Sequence, residues 1–408
     1  MITDFNTIII GAGASGLLAA CNLNGVKTLL IEKNTCAGKK MLISGAGQCN
    51  FTHSGELDDF LKKYGANSSF LKPALYNFNN NDSIKYFEKL GVESVIRDDG
   101  KVFPKSLKAN DILSALLQKI KKNKALVKYN CCVAEVKYNS ELEFFTIKTG
   151  NEKFTSKNLI ISTGGKSYPI TGSTGDGYSI ARSLGHSIVE TSPCLTPINV
   201  AEYKFSELSG VSFKDIQVSL WRNNKKIKET KGDLLLTHKN LSGPVILNFS
   251  KYVKVGDIIK INFIGLTNDR INELIKKVTK QNGKQLVKSI FKDTNLSKRF
   301  IDKIFYINNI KDDTICSQLS RKDKQSLINS LFSYEFKVES LGGYHIAMAT
   351  AGGVSLDEVN RKTMQSKLVK GLYFTGEVLD IDGETGGYNI QAAFSTAMLA
   401  TKSISNNL

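Results

Sequence analysis

A Gly11-x-Gly13-x-x-Gly16 turn lies between two stretches of different hydrophobic period, and that placement constrains this chain more than any other feature. Thr7-Ile8-Ile9-Ile10 reads as a short buried strand. Leu17 to Leu23 reads as a helix with small and apolar residues facing a sheet, and Lys27 to Glu32 as a second strand. The first glycine permits the tight turn, the second lets a pyrophosphate approach the backbone, and the third lets helix and strand pack closely. The N–H groups at the helix start (Ala14, Ser15, Gly16) favour phosphate. Glu32 ends the second strand 21 residues after Gly11, where a carboxylate accepts ribose hydroxyls. The unit predicts an adenine dinucleotide.

Two further strand ends favour FAD over NAD. Ile160-Ile161-Ser162 runs into Thr163-Gly164-Gly165, and Leu372-Tyr373-Phe374-Thr375 runs into Gly376-Glu377, whose acid would take a ribitol hydroxyl. Gly383 to Ala393 then opens a last helix. Its N-terminus, aimed at the flavin N1–C2=O edge, would stabilise the charge of reduced flavin. There is no second strand-GxGxxG-helix unit, so a nicotinamide reductant, NAD(P)H, is expected to bind transiently.

At 408 residues the chain exceeds one compact core. Its texture changes near Pro193 and Pro197 to short strand-like runs, and from about 268 to 330 to Lys-rich helical spacing (Ile271, Leu274, Ile275, Val278; then Ile301, Ile304, Phe305). Residues 34–54 read as a loop, and helical patterns fall at about 56–64, 82–90 and 110–123. The seven cysteines show no CxxC spacing, and with four histidines no metal site is expected. No apolar run is long enough for a membrane span and no leader pattern opens the chain, so the expected compartment is the cytoplasm.

Net charge is +17, and residues 201–330 hold 25 Lys/Arg against 13 Asp/Glu. That surplus suits a polyanion such as RNA, against the alternative of a Lys-rich composition with no partner behind it. The basic clusters Arg222 to Lys231 and Lys276 to Lys303 lack the aromatic spacing of a stacking platform, with Trp221 beside Arg222 the one exception, and such charge runs are usually solvated faces.

Gly38 through His53, Gly100-Lys101-Val102-Phe103-Pro104, Gly164 through Pro169, Gly172 through Gly177, Thr237 through Pro244, Ala351-Gly352-Gly353-Val354, Thr363 through Lys367 and Gly371 through Ala393 run the length of the chain. Carrying these motifs, the sequence resembles the aminoacetone-oxidase-like, or BaiN-like, family of bacterial FAD-binding oxidoreductases. The resemblance implies an α/β fold: a discontinuous Rossmann-like FAD-binding domain (1–192 and 352–408), a β-barrel-like domain (193–265 and 331–351) and a helical insertion (266–330). It departs from the family at Gln48, where arginine is usual, and at His53, where asparagine is usual. Together with the turn, it implies FAD contacts from Gly11, Gly13, Ala14, Ser15, Gly16, Glu32, Lys33, Lys40, Ser44, Gly45, Gly47, Gln48, Cys49, Asn50, Val133, Thr163, Gly164, Gly165, Gly376, Glu377, Gly387, Tyr388, Asn389 and Ile390.

Members of such a family carry out amine oxidation, reduction of a steroid-type C=C bond, or reduction of a ribosomal RNA uridine. The expected reaction is therefore hydride transfer through flavin N5. A C=C bond is the favoured acceptor, with rRNA uridine slightly ahead of a steroid-like small molecule. An O2-using amine oxidase and an RNA-binding flavoprotein with a minor redox role are the alternatives. Three residues are candidates for the chemistry, each beside a plainer role. His238 is a proton donor at the expected barrel–FAD boundary or a loop brace. Cys49 is a thiol acid or a small packed residue. Tyr388 donates a hydrogen bond or shields the flavin ring. His345 is expected on a strand, in a structural role.

Overall fold

The computed structural model describes residues 3–150, 152–265, 273, 285–292 and 294–407. It divides into two compact units, one of residues 1–194 with 344–408 and one of residues 195–343.

The first unit is built on parallel strands. Phe5–Ile10 lies between Thr28–Ile31 and Lys153–Ile161, and Thr28–Ile31 pairs in turn with Leu126–Lys128. Leu159, Ile160 and Ile161 also pair with Leu372, Tyr373 and Phe374. The three strand-to-turn signals of the sequence therefore meet in one sheet. The first half of Lys153–Ile161 pairs antiparallel with Phe144–Thr149, which pairs with Val133–Asn139. Ile8, Ile9, Leu30 and Ile160 are fully buried, as a sheet covered on both faces requires. The helices Ala14–Asn22 and Tyr388–Asn406 pack against one another in this unit.

Residues 34–54 are not the featureless loop expected. They hold a short helix, Lys39–Ile43, a 3-10 turn, Ser44–Gly47, and a two-residue strand, Thr52–His53. Burial of Met41, Cys49 and Phe51 in the main core outweighs the low local propensity. Thr52–His53 pairs with Lys101–Pro104, which pairs with Ser94–Ile96. A helix at Ser68–Asn77 also went unread. His345 lies in an exposed turn, not on a strand.

The second unit is a closed antiparallel barrel in the order Ile198–Val200, Leu241–Ser242, Lys225–Leu236, Ser212–Arg222, Ile258–Asn262 and Tyr334–Leu341. Its core gathers Phe205, Phe213, Phe263 and Phe336. Phe300, from the helix Lys298–Ile307, packs on Phe213 and Phe263 with ring centroids 4.8 and 4.7 Å apart. Ile271, Leu274, Ile275 and Val278 of the expected helical insertion lie outside the described residues. The threefold division of the sequence reading stands as a proposal. No helix among the described residues is long and apolar enough to cross a membrane.

Candidate cofactor and active site

The strand end and helix start of the first βαβ unit are shaped by their glycines. A Cβ on Gly11, whose φ is +101°, would lie 2.7 Å from Ser162 O, and one on Gly16 only 1.9 Å from Gly11 O. A Cβ on Gly13 would meet no atom within 4 Å. Gly13 thus keeps open a space that the fold itself does not fill, where a pyrophosphate would come closest. No side chain caps the helix at Gly13, so its first N–H groups face that space. Ser15 Oγ and Thr375 Oγ1 are hydrogen-bonded at 2.8 Å and buried.

Glu32 is buried. Its Oε2 accepts from Ala12 N at 2.9 Å, and its Oε1 accepts from Asn34 N and Nδ2 at 2.8 and 2.7 Å. A carboxylate offers about four acceptor positions, so a hydroxyl still has a place there. Asn130 N donates to Asn34 O and Cys131 N to Glu32 O, which fixes the chain just before Val133. Lys33 is held by Asp176 and Thr174, each at 2.6 Å. Burial works against the Asp176 charge, but Lys33 and Thr174 outweigh it and hold the carboxyl below its ordinary value.

The second glycine-rich segment is exposed at Gly45, Ala46 and Gly47. Gly45 and Gly47 have φ of +55° and +84°, and Ala46 and Cys49 share the left-handed region. Ser44 Oγ donates to Met41 O at 2.7 Å, and Cys49 N to Ser44 O at 3.0 Å. Asn50 Oδ1 is buried with no hydrogen-bond partner, a group that a polar ligand edge would satisfy. Cys49 is fully enclosed, and burial pushes its thiol up to about 12.

Gln48 Oε1 accepts from Arg97 at 2.5 Å. The Arg97 guanidinium also lies 4.0 Å from the centre of the Phe103 ring. Arg97, at the turn of a neighbouring hairpin, thus sits beside Gln48, the position at which the resembled family usually has arginine. Arg97 was missed because it stands 49 residues from Gln48 in a turn with no motif.

Glu377, like Glu32, accepts three hydrogen bonds. Oε2 accepts from Lys40 Nζ at 2.8 Å, and Oε1 from Ser167 Oγ and Thr350 N at 2.7 and 2.8 Å. Lys40 also donates to Ser167 Oγ at 2.7 Å. Burial raises the carboxyl, yet Lys40, Ser167 and Thr350 together bring it below its ordinary value. Gly164, with φ +73°, keeps room beside this acid: its Cβ would lie 3.9 Å from Glu377 Oε2. Gly165 has Thr350 Oγ1 only 2.4 Å from where its Cβ would be. Thr163 Oγ1 is buried without a partner. Ser167 and Thr350, which steady Glu377, carry no signal of that role in the sequence.

The last helix starts after Gly387, φ +97°, again without a side-chain cap. The loop before it is closed by Asn389, which accepts from Gly383 N at 2.8 Å and donates to Gly383 O at 3.0 Å. Tyr64 donates to Tyr388 O at 2.8 Å, and Lys63 pairs with Glu384 at 3.0 Å. The Tyr388 ring is stacked on His53 at 5.1 Å and meets Phe60 edge-on at 4.6 Å. Burial, with Glu384 and Asp59, pushes its hydroxyl up to about 12. Ile390 is half-buried on the same helix turn, and Gly376 N donates to Thr396 Oγ1 at 3.0 Å.

All the expected cofactor residues belong to the first unit. His238 belongs to the second, exposed in a turn braced by Thr237 Oγ1 donating to Asn240 O at 2.9 Å. The open face of Gly13, the two uncapped helix N-termini and the unsatisfied Asn50 Oδ1 fit an adenine dinucleotide bearing a flavin.

Residues 5–403 match the family model described as the HI0933-like protein Rossmann domain. A ribosomal RNA dihydrouridine synthase of Haemophilus influenzae is 32% identical over 98% of this chain and 98% of its own length. A 3-dehydro-bile acid delta(4,6)-reductase of Clostridium scindens is 28% identical over 96% of this chain and 97% of its own. Among solved structures, 3-ketosteroid delta1-dehydrogenase of Sterolibacterium denitrificans aligns with a TM-score of 0.52, covering 99% of this chain and 100% of that one. At 10% identity it bears on the fold alone. With the glycine turns, the acid at each strand end and a match spanning nearly every residue, this chain belongs to the HI0933-like family of Rossmann-fold, FAD-dependent oxidoreductases.

Proposed function

We propose that this enzyme reduces the 5,6 double bond of a uridine in ribosomal RNA to dihydrouridine, with NAD(P)H as electron source. The observation that carries the reading is the 32% identity, end to end, with a relative named ribosomal RNA dihydrouridine synthase. Bound FAD would supply the hydride from its reduced N5 to uridine C6, and a proton from the protein or solvent would complete C5.

This chain's residues divide the remaining work. Gly11, Gly13 and the N–H groups of Ala14, Ser15 and Gly16 hold the pyrophosphate, and Glu32 takes the adenosine ribose, with Lys33 and Val133 beside it. Thr163, Gly164, Gly165, Gly376 and Glu377 line the ribitol, with Lys40 keeping Glu377 charged. The loop of Ser44, Gly45, Gly47, Gln48 and Asn50 flanks the ring. The helix start at Gly387, Tyr388, Asn389 and Ile390 places positive dipole at its N1 edge. Of the two candidates for the C5 proton, His238 is exposed in its own unit and Cys49 is enclosed, so only His238 is open to exchange a proton with solvent. Tyr388 is packed among aromatic rings and serves as a shield. An RNA substrate puts the enzyme in the cytoplasm.

A steroid-like enone is the second reading, favoured by the 28% identity with the bile acid reductase. Nucleoside mass spectrometry of ribosomal RNA from cells with and without the gene decides between them. The proposal expects dihydrouridine to vanish on deletion and return on complementation. Unchanged dihydrouridine overturns it, and turnover of an enone by the purified enzyme would then establish the second reading.

A further inference from the structure

The outer face of the barrel brings together residues that lie far apart in sequence. Val218, Leu220, Ile259 and Ile261 point inward and are fully buried, so their strand neighbours point out. Register places Trp221 between Lys226 on one side and Ile258 on the other, with Lys337 beyond Ile258. The next row is Glu229, Ser219, Lys260 and Glu335, and the third is Lys231, Gln217 and Asn262. Trp221 is the chain's only tryptophan and is half-buried on this face. Its Nε1 donates to Ser219 Oγ at 2.9 Å, and Lys260 Nζ stands 4.6 Å from its ring centre.

We propose that this face, centred on Trp221, binds a single-stranded segment of RNA, with a base stacked on the indole in place of the Lys260 ammonium and phosphates on Lys231 and Lys337. The proposal rests on the RNA reading above and adds the surface that takes hold of the strand. An aromatic plane ringed by lysines and amides is what sequence-tolerant binding of a single strand uses. Charge complementarity selects this occupant. The unit of residues 195–343 holds 26 Lys/Arg against 15 Asp/Glu. Four lysines on the face oppose two carboxylates: Lys226 and Lys260 are paired with Glu229 at 3.0 Å and Glu335 at 2.7 Å, which leaves the charges of Lys231 and Lys337 for a polyanion.

The basic helical segment is a weaker contender. Lys288 is engaged by Asp302 and Asp312, and Lys303 by Glu207 at 2.8 Å. Lys276, Lys277, Lys280 and Lys284 lie outside the described residues.

A single tryptophan makes the test direct. The full-length FAD-loaded protein is titrated with an oligouridylate of about 12 nucleotides, within the site sizes such surfaces show. Indole fluorescence should quench saturably. Trp221→Leu, checked for unchanged FAD content and circular dichroism, should weaken binding of the labelled oligonucleotide about tenfold. Lys231→Gln with Lys337→Gln should lower the slope of log affinity against log salt by about 1.4, two single-strand phosphates' worth. Binding without quenching, or binding unaltered in Trp221→Leu, overturns the proposal. So does quenching that follows protein concentration without RNA, which would make the face a contact between two copies. Gene deletion separates the two claims. If wild type and Trp221→Leu restore dihydrouridine equally and bind the oligonucleotide equally, the surface is wrong and the catalytic reading stands. If deletion leaves dihydrouridine unchanged, the catalytic reading is wrong and the titration alone judges the surface.

Discussion

Gly13 and Gly16 share one short turn yet answer to different neighbours. A methyl on Gly16 would drive into Gly11 O, whereas a methyl on Gly13 would enter open space. Gly16→Ala should therefore destabilise the protein by several kcal/mol or prevent folding, since the contact is with backbone that cannot swing away. Gly13→Ala should leave the melting of the FAD-free protein nearly unchanged, within about 0.5 kcal/mol, while FAD affinity falls at least tenfold. Equal loss of stability in both variants would remove the argument that Gly13 is reserved for a ligand.

Lys40 and Glu377 give a second test at this scale. The carboxyl is held below its ordinary value, so its contribution is present above the unfolded pKa of about 4.3 and fades as pH falls through the folded value. Lys40→Met leaves burial unopposed by charge, and the carboxyl should then sit above its unfolded value. The sign reverses: stability is lost as pH rises from about 4.3 through the new pKa. At pH 7 the variant should be less stable by about 1–3 kcal/mol, below the full cost of breaking a buried pair because both side chains keep some solvent contact. Urea unfolding at pH 4 and pH 7 reads both effects, and a variant with the wild-type pH profile would show that the pair does not set the charge. Glu32 and Glu377 were legible because each ends a strand pattern. Arg97, Ser167 and Thr350 were not, because what recruits them is packing across the fold rather than spacing along it.

Among the elements, the long ones announced themselves. Phe5–Ile10, Ala109–Lys122 and Tyr388–Asn406 were placed by the sequence, and Lys153–Ile161 only in its apolar second half, from Asn158 on. Short ones did not. Lys39–Ile43 has five residues, too few for a period, and starts from Gly38 at φ +71°. Ser68–Asn77 carries Pro73 inside it, although Phe70, Leu71, Ala74 and Leu75 lie on one buried face and would have given it away. The element that matters most to the site is the loop ahead of the last helix, pinned by the two hydrogen bonds that Asn389 and Gly383 exchange. Asn389→Ala should cost about 1–3 kcal/mol in stability. It should weaken FAD binding and speed proteolytic cleavage between Gly383 and Gly387, while Asn389→Asp, which keeps the acceptor, should lose less. Unchanged FAD affinity in Asn389→Ala would mean that the helix start is held elsewhere.

On the scale of the whole molecule, the buried hydrophobic residues among those described form two clusters. One gathers sheet and helices of the first unit, from Phe5 to Ile404, and the other gathers the barrel and its helices, from Ile198 to Val338. The sequence betrayed this division through texture, in the change from a glycine-punctuated parallel pattern to short alternating strands. The helical part was harder to read, because Phe300 serves the barrel's own core although it lies about 40 residues beyond the nearest barrel strand before it. Two cores imply that unfolding need not be a single cooperative step. All the expected FAD residues belong to the first unit, so FAD should stabilise that unit alone. At a concentration 100-fold above its dissociation constant the gain is about 2.7 kcal/mol. For a unit of this size that moves a transition upward by roughly 5–10 °C. Calorimetry of the full-length protein should therefore show two transitions, of which added FAD shifts one and leaves the other in place. Trp221 is the chain's only tryptophan and lies in the barrel unit, so its fluorescence should follow the transition that does not move. A single transition that moves as a whole with FAD, with Trp221 reporting the same shift, would show the two cores to be one cooperative unit.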